Sequence, residues 1–301
     1  MDATRWLLAT EGLRIEPYSV HDEEEVTGLR RVESQSEVGR LSHVLATALR
    51  SEKLFLRVVD PRPARVVSPE IALLQRGTER SSLASGSQAN FGLFLPHGSS
   101  PRIDFDYVSG GPWACLSHDV VVHETLHGMV HRYWELHDAP RFDRGVIEES
   151  LADVLAWLSA GRHVALRRWV IAETNGDLSQ SNALSRFGGD APGVPVIRDT
   201  TAAVPFDPTV MQATHAVANA LSAAILNFAS SLVRGAASLE DELLTALNVA
   251  SKCAFGGASQ LSGIDFNLKA FATKLITQAE ENGAGARMRT ALGEMGFAPA
   301  P

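Results

Sequence analysis

The stretch His123-Glu124-Thr125-Leu126-His127 is the most informative part of this chain, because the four-residue spacing of its two histidines suits a metal-binding helix. Residues four apart on an α-helix lie on the same face, so both imidazoles can bind one ion. Glu124 can then reach the open coordination side. A tetrahedral zinc ion held by two histidines still needs a third protein ligand and a water molecule. The sequence therefore predicts a zinc-site helix and a third ligand elsewhere.

The candidate third ligand lies on a second predicted helix, which begins at Gly145 and ends near Gly161. On this helix Glu149 and Asp153 are four residues apart and share a face, so one can bind the metal while the other orients a ligand histidine. Asp153 fits the orienting role. Glu148 points about 100° away around the helix, which argues against its serving beside Glu149.

The runs that carry these residues resemble a known family. Asp119–Gly128 and Gly145–Asp153 are similar to the two metal-site helices of the thermolysin-like (M4) metallopeptidases, a branch of the gluzincins. The resemblance covers roughly residues 85–300 and is strong at these two motifs. It implies a zinc-dependent endopeptidase that hydrolyses peptides or proteins. Its one zinc ion per chain would be held by His123, His127 and Glu149.

The same resemblance implies catalytic roles. Glu124 would take a proton from the attacking water and pass it to the leaving amine. His215 would donate to the tetrahedral oxyanion, with Tyr133 as a further candidate donor. Arg198 would bind the backbone carbonyl beyond the cleaved bond. No aspartate lies at the distance from His215 at which the family has its orienting acid, and Asp207 is the nearest acid upstream.

A substrate pocket is also implied. Val120, Ile171 and Ile197 fall where the family lines the pocket for the residue after the cleaved bond. All three are apolar, which implies a preference for a hydrophobic residue there. Asn90 falls on a predicted strand, which is either the edge strand that pairs with substrate backbone or a plain strand near the sheet edge.

The chain departs from the family in its acidic residues. Asp119 and Glu173 match parts of the paired calcium site, but Ala160 stands where the family has an acid. A calcium pair is therefore doubtful, and one weak site is left open.

Composition narrows the function further. The chain has 301 residues, 45% of them hydrophobic and 21% charged, as expected for a globular protein. Its net charge of −8 argues against nucleic-acid binding. No apolar run is long enough to span a membrane, and no signal peptide is visible. We therefore expect a cytoplasmic protein or export by a non-classical route, although similar enzymes are secreted. Cys115 and Cys253 are expected to be isolated buried thiols, with a disulfide as the alternative.

The expected fold class is α+β. Residues 1–135 form a half that contains a sheet and carries the zinc-site helix, and residues 136–301 form a mainly helical half with the third ligand. The zinc-site helix would lie at the floor of the cleft between them. Strands are predicted at Leu54–Val59, Ile71–Gln75, Asn90–Leu95 and Ile103–Val108. Helices are predicted at Val38–Leu49 and Met211–Leu232, from Ser238 to near Phe255, and at Phe266–Glu281 and Arg287–Met295.

Three alternatives to this enzyme class can be compared with the sequence. The metzincin pattern needs glycine and histidine where this chain has Val130 and Tyr133, so that branch is rejected. A gluzincin aminopeptidase is disfavoured because the Gly-x-Met-Glu-Asn pattern is absent. A catalytically inactive zinc-containing protein of the same fold, which binds a peptide or partner, stays open as the alternative to the peptidase.

Overall fold

The computed structural model of the protein describes most of the chain after residue 116 and short segments before it. The described residues are 5–10, 13–19, 70–73, 93–95, 102–105, 117–133, 140–188, 196–235 and 238–297, with several helical positions between 47 and 58.

The second half of the chain is a bundle of helices. These are α1 (His118–Tyr133), α2 (Arg141–Gly161), α3 (Val164–Thr174), α4 (Thr214–Leu232), α5 (Leu239–Ser259), α6 (Leu268–Glu281) and α7 (Gly285–Glu294). Helix α2 packs against α1, α4 and α5, and α4 also packs against α5 and α7. Because α2 and α4 are apolar on most of their faces, they are buried at the centre of the bundle. In the described part of the chain, no helix is long and apolar enough to cross a bilayer.

Short strands precede and interrupt the helices. Strands β1 (Arg5–Thr10), β2 (Leu13–Ser19), β3 (Glu70–Leu73), β4 (Leu93–Leu95) and β5 (Arg102–Phe105) pair in the order β2-β1-β3-β5-β4. The β1–β3 and β3–β5 pairs are parallel, and the other two are antiparallel. Strands β6 (Arg186–Phe187) and β7 (Arg198–Asp199) form a separate antiparallel pair. The mainly helical second half is confirmed, and α+β is loosely compatible with the structure. The sheet-containing first half stays a prediction, because most of residues 1–116 lie outside the described residues.

One large hydrophobic core holds the helices together. Its largest fully buried side chains are Phe55, Phe228, Phe255, Phe266 and Phe271. The rings of Phe55 and Phe255 meet edge to face with centroids 5.7 Å apart. Full burial of one such side chain contributes about 1.5–3 kcal/mol to the free energy of unfolding. Burial of these side chains therefore stabilises the packing of the helices.

The strand predicted at Leu54–Val59 is wrong, because the described residues there are helical. Buried or half-buried side chains recur at Thr47, Ser51, Leu54, Phe55 and Val58. Those intervals follow the 3.6-residue period of a helix with one face on the core. A short apolar run reads equally well as a strand when its period is masked by neighbouring apolar residues.

The predicted end of α5 near Phe255 is also wrong, because the helix continues through Gly256 and Gly257 to Ser259. A Cβ at Gly256 would lie 2.5 Å from a side-chain oxygen of Gln278 on α6. One at Gly257 would lie 3.4 Å from the backbone nitrogen of Leu275. These glycines therefore allow α6 to approach closely, and packing outweighs their weak helix propensity.

Two helix starts differ by a few residues from the predicted positions. Helix α2 begins at Arg141, directly after Pro140, rather than at Gly145. Helix α4 begins at Thr214 rather than at Met211, since Ala213 before it has an extended backbone.

A glycine near the end of the chain lies against the backbone of Phe206, in the segment before α4. Gly296 has φ +81°, and a Cβ there would lie 2.2 Å from the carbonyl oxygen of Phe206, whose own N–H bonds to Met295. Gly296→Ala is expected to destabilise the protein by about 3 kcal/mol, from left-handed strain and the clash together. Gly283→Ala is the control, because Gly283 has φ +68° with nothing within 4 Å, and should cost about 1–2 kcal/mol. Equal losses in urea unfolding would contradict the close approach.

Candidate metal centre

Helices α1 and α2 bring two histidines and a glutamate to one point. The Nε2 atoms of His123 and His127 lie 3.0 and 3.4 Å from the two carboxylate oxygens of Glu149. One ligand atom from each residue fits within 4.8 Å of the others, and all three side chains are largely buried. A group of this kind can hold a metal ion. The three predicted ligands are therefore brought together, although the geometry does not identify the ion.

Asp153 lies directly behind His123. Its Oδ1 is 3.1 Å from Nδ1 of His123, and its Oδ2 accepts a hydrogen bond of 2.8 Å from the hydroxyl of Ser222 on α4. The guanidinium of Arg198 also bonds to Asp153. Asp153 is thus placed as expected, whereas Ser222 was missed because its link to Asp153 spans 69 residues.

Phe187 is the second residue that sequence reasoning missed. Strand β6 places its ring with the centroid 5.0 Å from that of His123, and the guanidinium carbon of Arg198 lies 4.3 Å above the same ring. A cation over an aromatic face is attracted by the ring quadrupole. Phe187 therefore contacts both His123 and Arg198, which also share Oδ1 of Asp153. No spacing signal connects a phenylalanine in a two-residue strand to a histidine 64 positions earlier.

Arg198 lies beside the centre and is partly buried. It pairs with Asp153 and stacks on Phe187, while its Nε is buried without a hydrogen-bond partner among the described residues. The predicted role of Arg198 is to bind a substrate carbonyl. In this structure its guanidinium is already shared with Asp153, so it also neutralises the carboxylate behind His123.

The hydrogen bonds of His123 determine its charge in the metal-free protein. Both ring nitrogens face carboxylate oxygens, and an ionised carboxylate can only accept a hydrogen bond. Burial alone lowers the pKa of His123, but hydrogen bonds to Asp153 and Glu149 and their charges outweigh it and raise the pKa to about 10. Burial also lowers the pKa of His127. One imidazole of the pair is therefore cationic and the other neutral near pH 7.

Burial acts to raise the pKa of each acid of the centre, but the neighbouring charges and hydrogen bonds give net shifts in opposite directions. Burial raises the pKa of Glu124 to about 7, although the positive charge of His123 opposes it. Burial also acts to raise the pKa of Glu149, but the charge of His127 and the hydrogen bond from His123 bring it well below the usual value. Similarly, Arg198 and the hydrogen bonds from His123 and Ser222 bring the pKa of Asp153 below its usual value despite burial. Glu149 is thus ionised at neutral pH, and Glu124 is poised to exchange a proton.

Metal binding is expected to release a proton from His123. A ligand imidazole must be unprotonated at the coordinating nitrogen, whereas the pKa of about 10 keeps His123 protonated in the metal-free protein. At pH 8, where Glu124 with its pKa of about 7 is already mostly ionised, we expect about one proton released per zinc ion. Calorimetric titrations in buffers of different ionisation enthalpy measure that number. Heats that do not depend on the buffer would show that His123 is neutral before binding.

The other predicted catalytic residues lie at different distances from the centre. His215, at the start of α4, places its Nε2 3.5 Å from Oε1 of Glu149, and its side chain is 74% exposed. It is therefore beside the centre and open to an incoming ligand. Asp207 accepts hydrogen bonds from the backbone and hydroxyl of Thr209, and no contact with His215 is seen among the described residues. The side chain of Tyr133 lies outside the described residues.

The predicted pocket residues are spread over the structure. Val120 is buried on α1, and Ile197, which precedes Arg198, is 38% exposed. Ile171 lines a surface cavity of about 420 Å³, whose other walls include Arg168, Ser238 and Glu240. None of the ligand histidines lines that cavity. Asn90 lies outside the described residues. The described contacts therefore do not join these positions into one pocket.

The two acids considered for a calcium site bond to groups of the protein itself. Asp119 accepts hydrogen bonds from Val120 N–H, Gly188 N–H and the Ser117 hydroxyl. Glu173 accepts a hydrogen bond from Ala183 N–H and pairs with Arg186 at 2.7 Å. These contacts tie the segment from Ala183 to Gly188, which contains β6, to α1 and α3.

Removal of calcium is therefore expected to change stability little. A chelator selective for calcium over zinc should shift the melting temperature by no more than about 2 °C, because the contacts of Asp119 and Glu173 need no ion. Thermal unfolding with and without added calcium measures the shift. A large decrease that calcium reverses would show a calcium site that these contacts do not represent.

Cys253 is a buried free thiol, and burial raises its pKa to about 12. Such a thiol is a poor metal ligand at neutral pH, since the thiolate is the binding form. Cys115 lies outside the described residues.

Comparison of the chain with models of protein families and with curated proteins finds no match in either. Any function must therefore be argued from the site itself.

Proposed function

We propose that the protein is a zinc-dependent endopeptidase of thermolysin-like architecture. The observation that supports this most strongly is the buried group of His123, His127 and Glu149, with the motif acid Glu124 on the same helix. Two imidazoles and one carboxylate are the donor set of known catalytic zinc sites, which leave one position open. The sequence resemblance at both site helices points to the same class of enzyme.

Zinc, when bound, would act as a Lewis acid that polarises the scissile carbonyl and activates water. Glu124 is the proposed proton carrier. It is 9% exposed, and burial raises its pKa to about 7, which is the range that suits a group that both accepts and returns a proton. Its carboxylate would take the proton from the attacking water and give it to the leaving amine.

His215 and Arg198 are proposed to bind the reacting peptide. The exposed imidazole of His215 can donate a hydrogen bond to the oxyanion that forms at the carbonyl. The side chain of Arg198 is 18% exposed beside the centre, and its guanidinium is the proposed donor to a peptide carbonyl. Val120 lies three residues before His123, and Ile197 directly precedes Arg198. Because both side chains are apolar, we propose a preference for a hydrophobic residue after the cleaved bond.

The experiment that tests the proposal combines metal analysis with peptide cleavage. Protein purified without added zinc is analysed for metal, then incubated with a peptide library before and after chelation, and again after zinc is restored. We expect about one zinc per chain and cleavage that chelation abolishes and zinc restores. Full zinc occupancy without any cleavage would reject the peptidase and favour the inactive peptide- or partner-binding protein.

A further inference from the structure

A second pair of imidazoles meets away from the metal centre. The ring of His118, the first residue of α1, meets that of His163, directly before α3, edge to face with centroids 5.6 Å apart and planes at 89°. The predicted ligands His123 and His127 have centroids 5.1 Å apart and planes at 75°. The two pairs therefore have a similar mutual arrangement, although the proposed function uses only the second of them.

The backbone under both rings of this pair is fixed by hydrogen bonds. The N–H of Val121 donates to the carbonyl of Ser117 at 3.2 Å, which closes the first turn of α1 around His118. The N–H of His163 donates to the carbonyl of Ala160 at 3.0 Å, in the turn between α2 and α3. The approach of the two rings is therefore set by the positions of these three helices.

A buried hydroxyl orients one ring of the pair. Oγ of Ser159, near the end of α2, lies 3.0 Å from Nε2 of His118, and Ser159 is 8% exposed. A metal-bound histidine usually donates its second ring N–H to an oxygen atom, which fixes the tautomer and the ring orientation. The Ser159 hydroxyl can accept that N–H, so His118 has the support that a ligand imidazole needs.

The pair is displaced from the metal centre both along and around α1. His118 precedes His123 by five residues, which places their side chains about 140° apart around the helix and about 7.5 Å apart along it. An ion held by His118 and His163 would therefore be a second one rather than a share of the first.

We propose that His118 and His163 bind a second divalent transition-metal ion, whose remaining positions are filled by water. Imidazole suits zinc, copper and nickel, whereas calcium and magnesium take oxygen ligands. His163 is exposed, so a hydrated ion can reach the pair from solvent. Because two protein ligands are one fewer than in the metal centre, this site should bind more weakly and fill after it. The bound ion would link the start of α1 to the turn between α2 and α3.

A plain ring contact predicts something different. Aromatic rings that meet edge to face attract each other without an ion, so such a pair would bind no additional metal. His163→Phe separates the two roles, because it keeps an aromatic ring and removes both nitrogen donors. The number of metal ions bound is therefore the deciding measurement.

The test counts metal ions on the zinc-saturated full chain. After equilibrium dialysis against Ni²⁺, metal analysis should find about one nickel per wild-type chain in addition to the retained zinc. His118→Ala and His163→Phe should each lose that nickel and keep the zinc. Ser159→Ala should bind nickel about 10–100-fold more weakly, because it removes only the group that orients His118. His215→Ala is the matched control and should keep the nickel, since it removes an exposed imidazole that is not part of the pair.

The outcomes decide this proposal independently of the peptidase. Absence of additional nickel on wild type, or equal nickel on His163→Phe, would overturn it. Nickel that is lost in His215→Ala and kept in His118→Ala would also overturn it, because the ion would then lie at the metal centre. If no zinc is retained or no peptide is cleaved, the difference in bound nickel between wild type and His163→Phe still decides whether the pair binds metal.

Discussion

Glu149→Ala should abolish stoichiometric zinc binding. Both Nε2 atoms face its carboxylate, and it is the one acid that completes the group of ligands among the described residues. Its removal leaves two imidazoles, which is one protein ligand fewer than a zinc site ordinarily has. We expect a decrease in zinc affinity of at least about 10³-fold, which exceeds the 10–100-fold of an outer-sphere change. Equilibrium dialysis followed by metal analysis measures it.

The neighbouring variant provides the control. Glu148→Ala should still hold about one zinc per chain at saturating zinc, because Glu148 lies behind His127 rather than between the imidazoles. The reverse pattern, with zinc lost in Glu148→Ala and kept in Glu149→Ala, would overturn the ligand assignment.

Glu124→Gln should abolish most peptide cleavage and leave zinc binding in place. The substitution keeps the shape of the side chain but removes the carboxylate that accepts a proton. We expect cleavage to fall by about 10²–10⁴-fold, mainly in kcat. Zinc content and melting temperature should stay near those of wild type, since Glu124 is not a ligand in this account. Steady-state kinetics with a fluorogenic peptide measures the decrease.

The pH dependence gives a check on the same residue. The pKa of Glu124 is raised to about 7 in the metal-free protein, and a bound cation lowers it. Cleavage should therefore decline on the acid side at a pH below 7, because the protonated acid cannot accept a proton. Glu240→Gln should leave both rate and profile unchanged, as its pair with Arg168 is on the exposed surface. Equal rates in Glu124→Gln and wild type would reject Glu124 as the base.

The sequence predicted the centre well because its geometry is local to two helices. His123 and His127 are one turn apart on one helix, and Glu149 and Asp153 are one turn apart on the next. Helical periodicity alone therefore determines which of them share a face. Only the packing of α1 against α2 was needed to bring the two faces together.

What sequence reasoning missed depends on contacts between distant segments. Ser222 reaches Asp153 from a third helix, and Phe187 meets His123 from a two-residue strand, so neither position has a periodic signal. Helical periodicity predicts that Glu148 faces away from Glu149, yet the two acids lie near the two different nitrogens of the His127 ring. The helical positions at 54–58 and the glycines within α5 were misread because tertiary packing outweighed local propensity.

The most direct test of the metal centre is X-ray absorption at the zinc edge of zinc-loaded protein. We expect two imidazole nitrogens at about 2.0–2.1 Å and oxygen donors at similar distance, with no sulfur. Glu149→Ala prepared in parallel should lose this pattern. A sulfur shell near 2.3 Å, which would require Cys115 or Cys253, or a spectrum without imidazole, would contradict the assignment of His123, His127 and Glu149 as the zinc ligands.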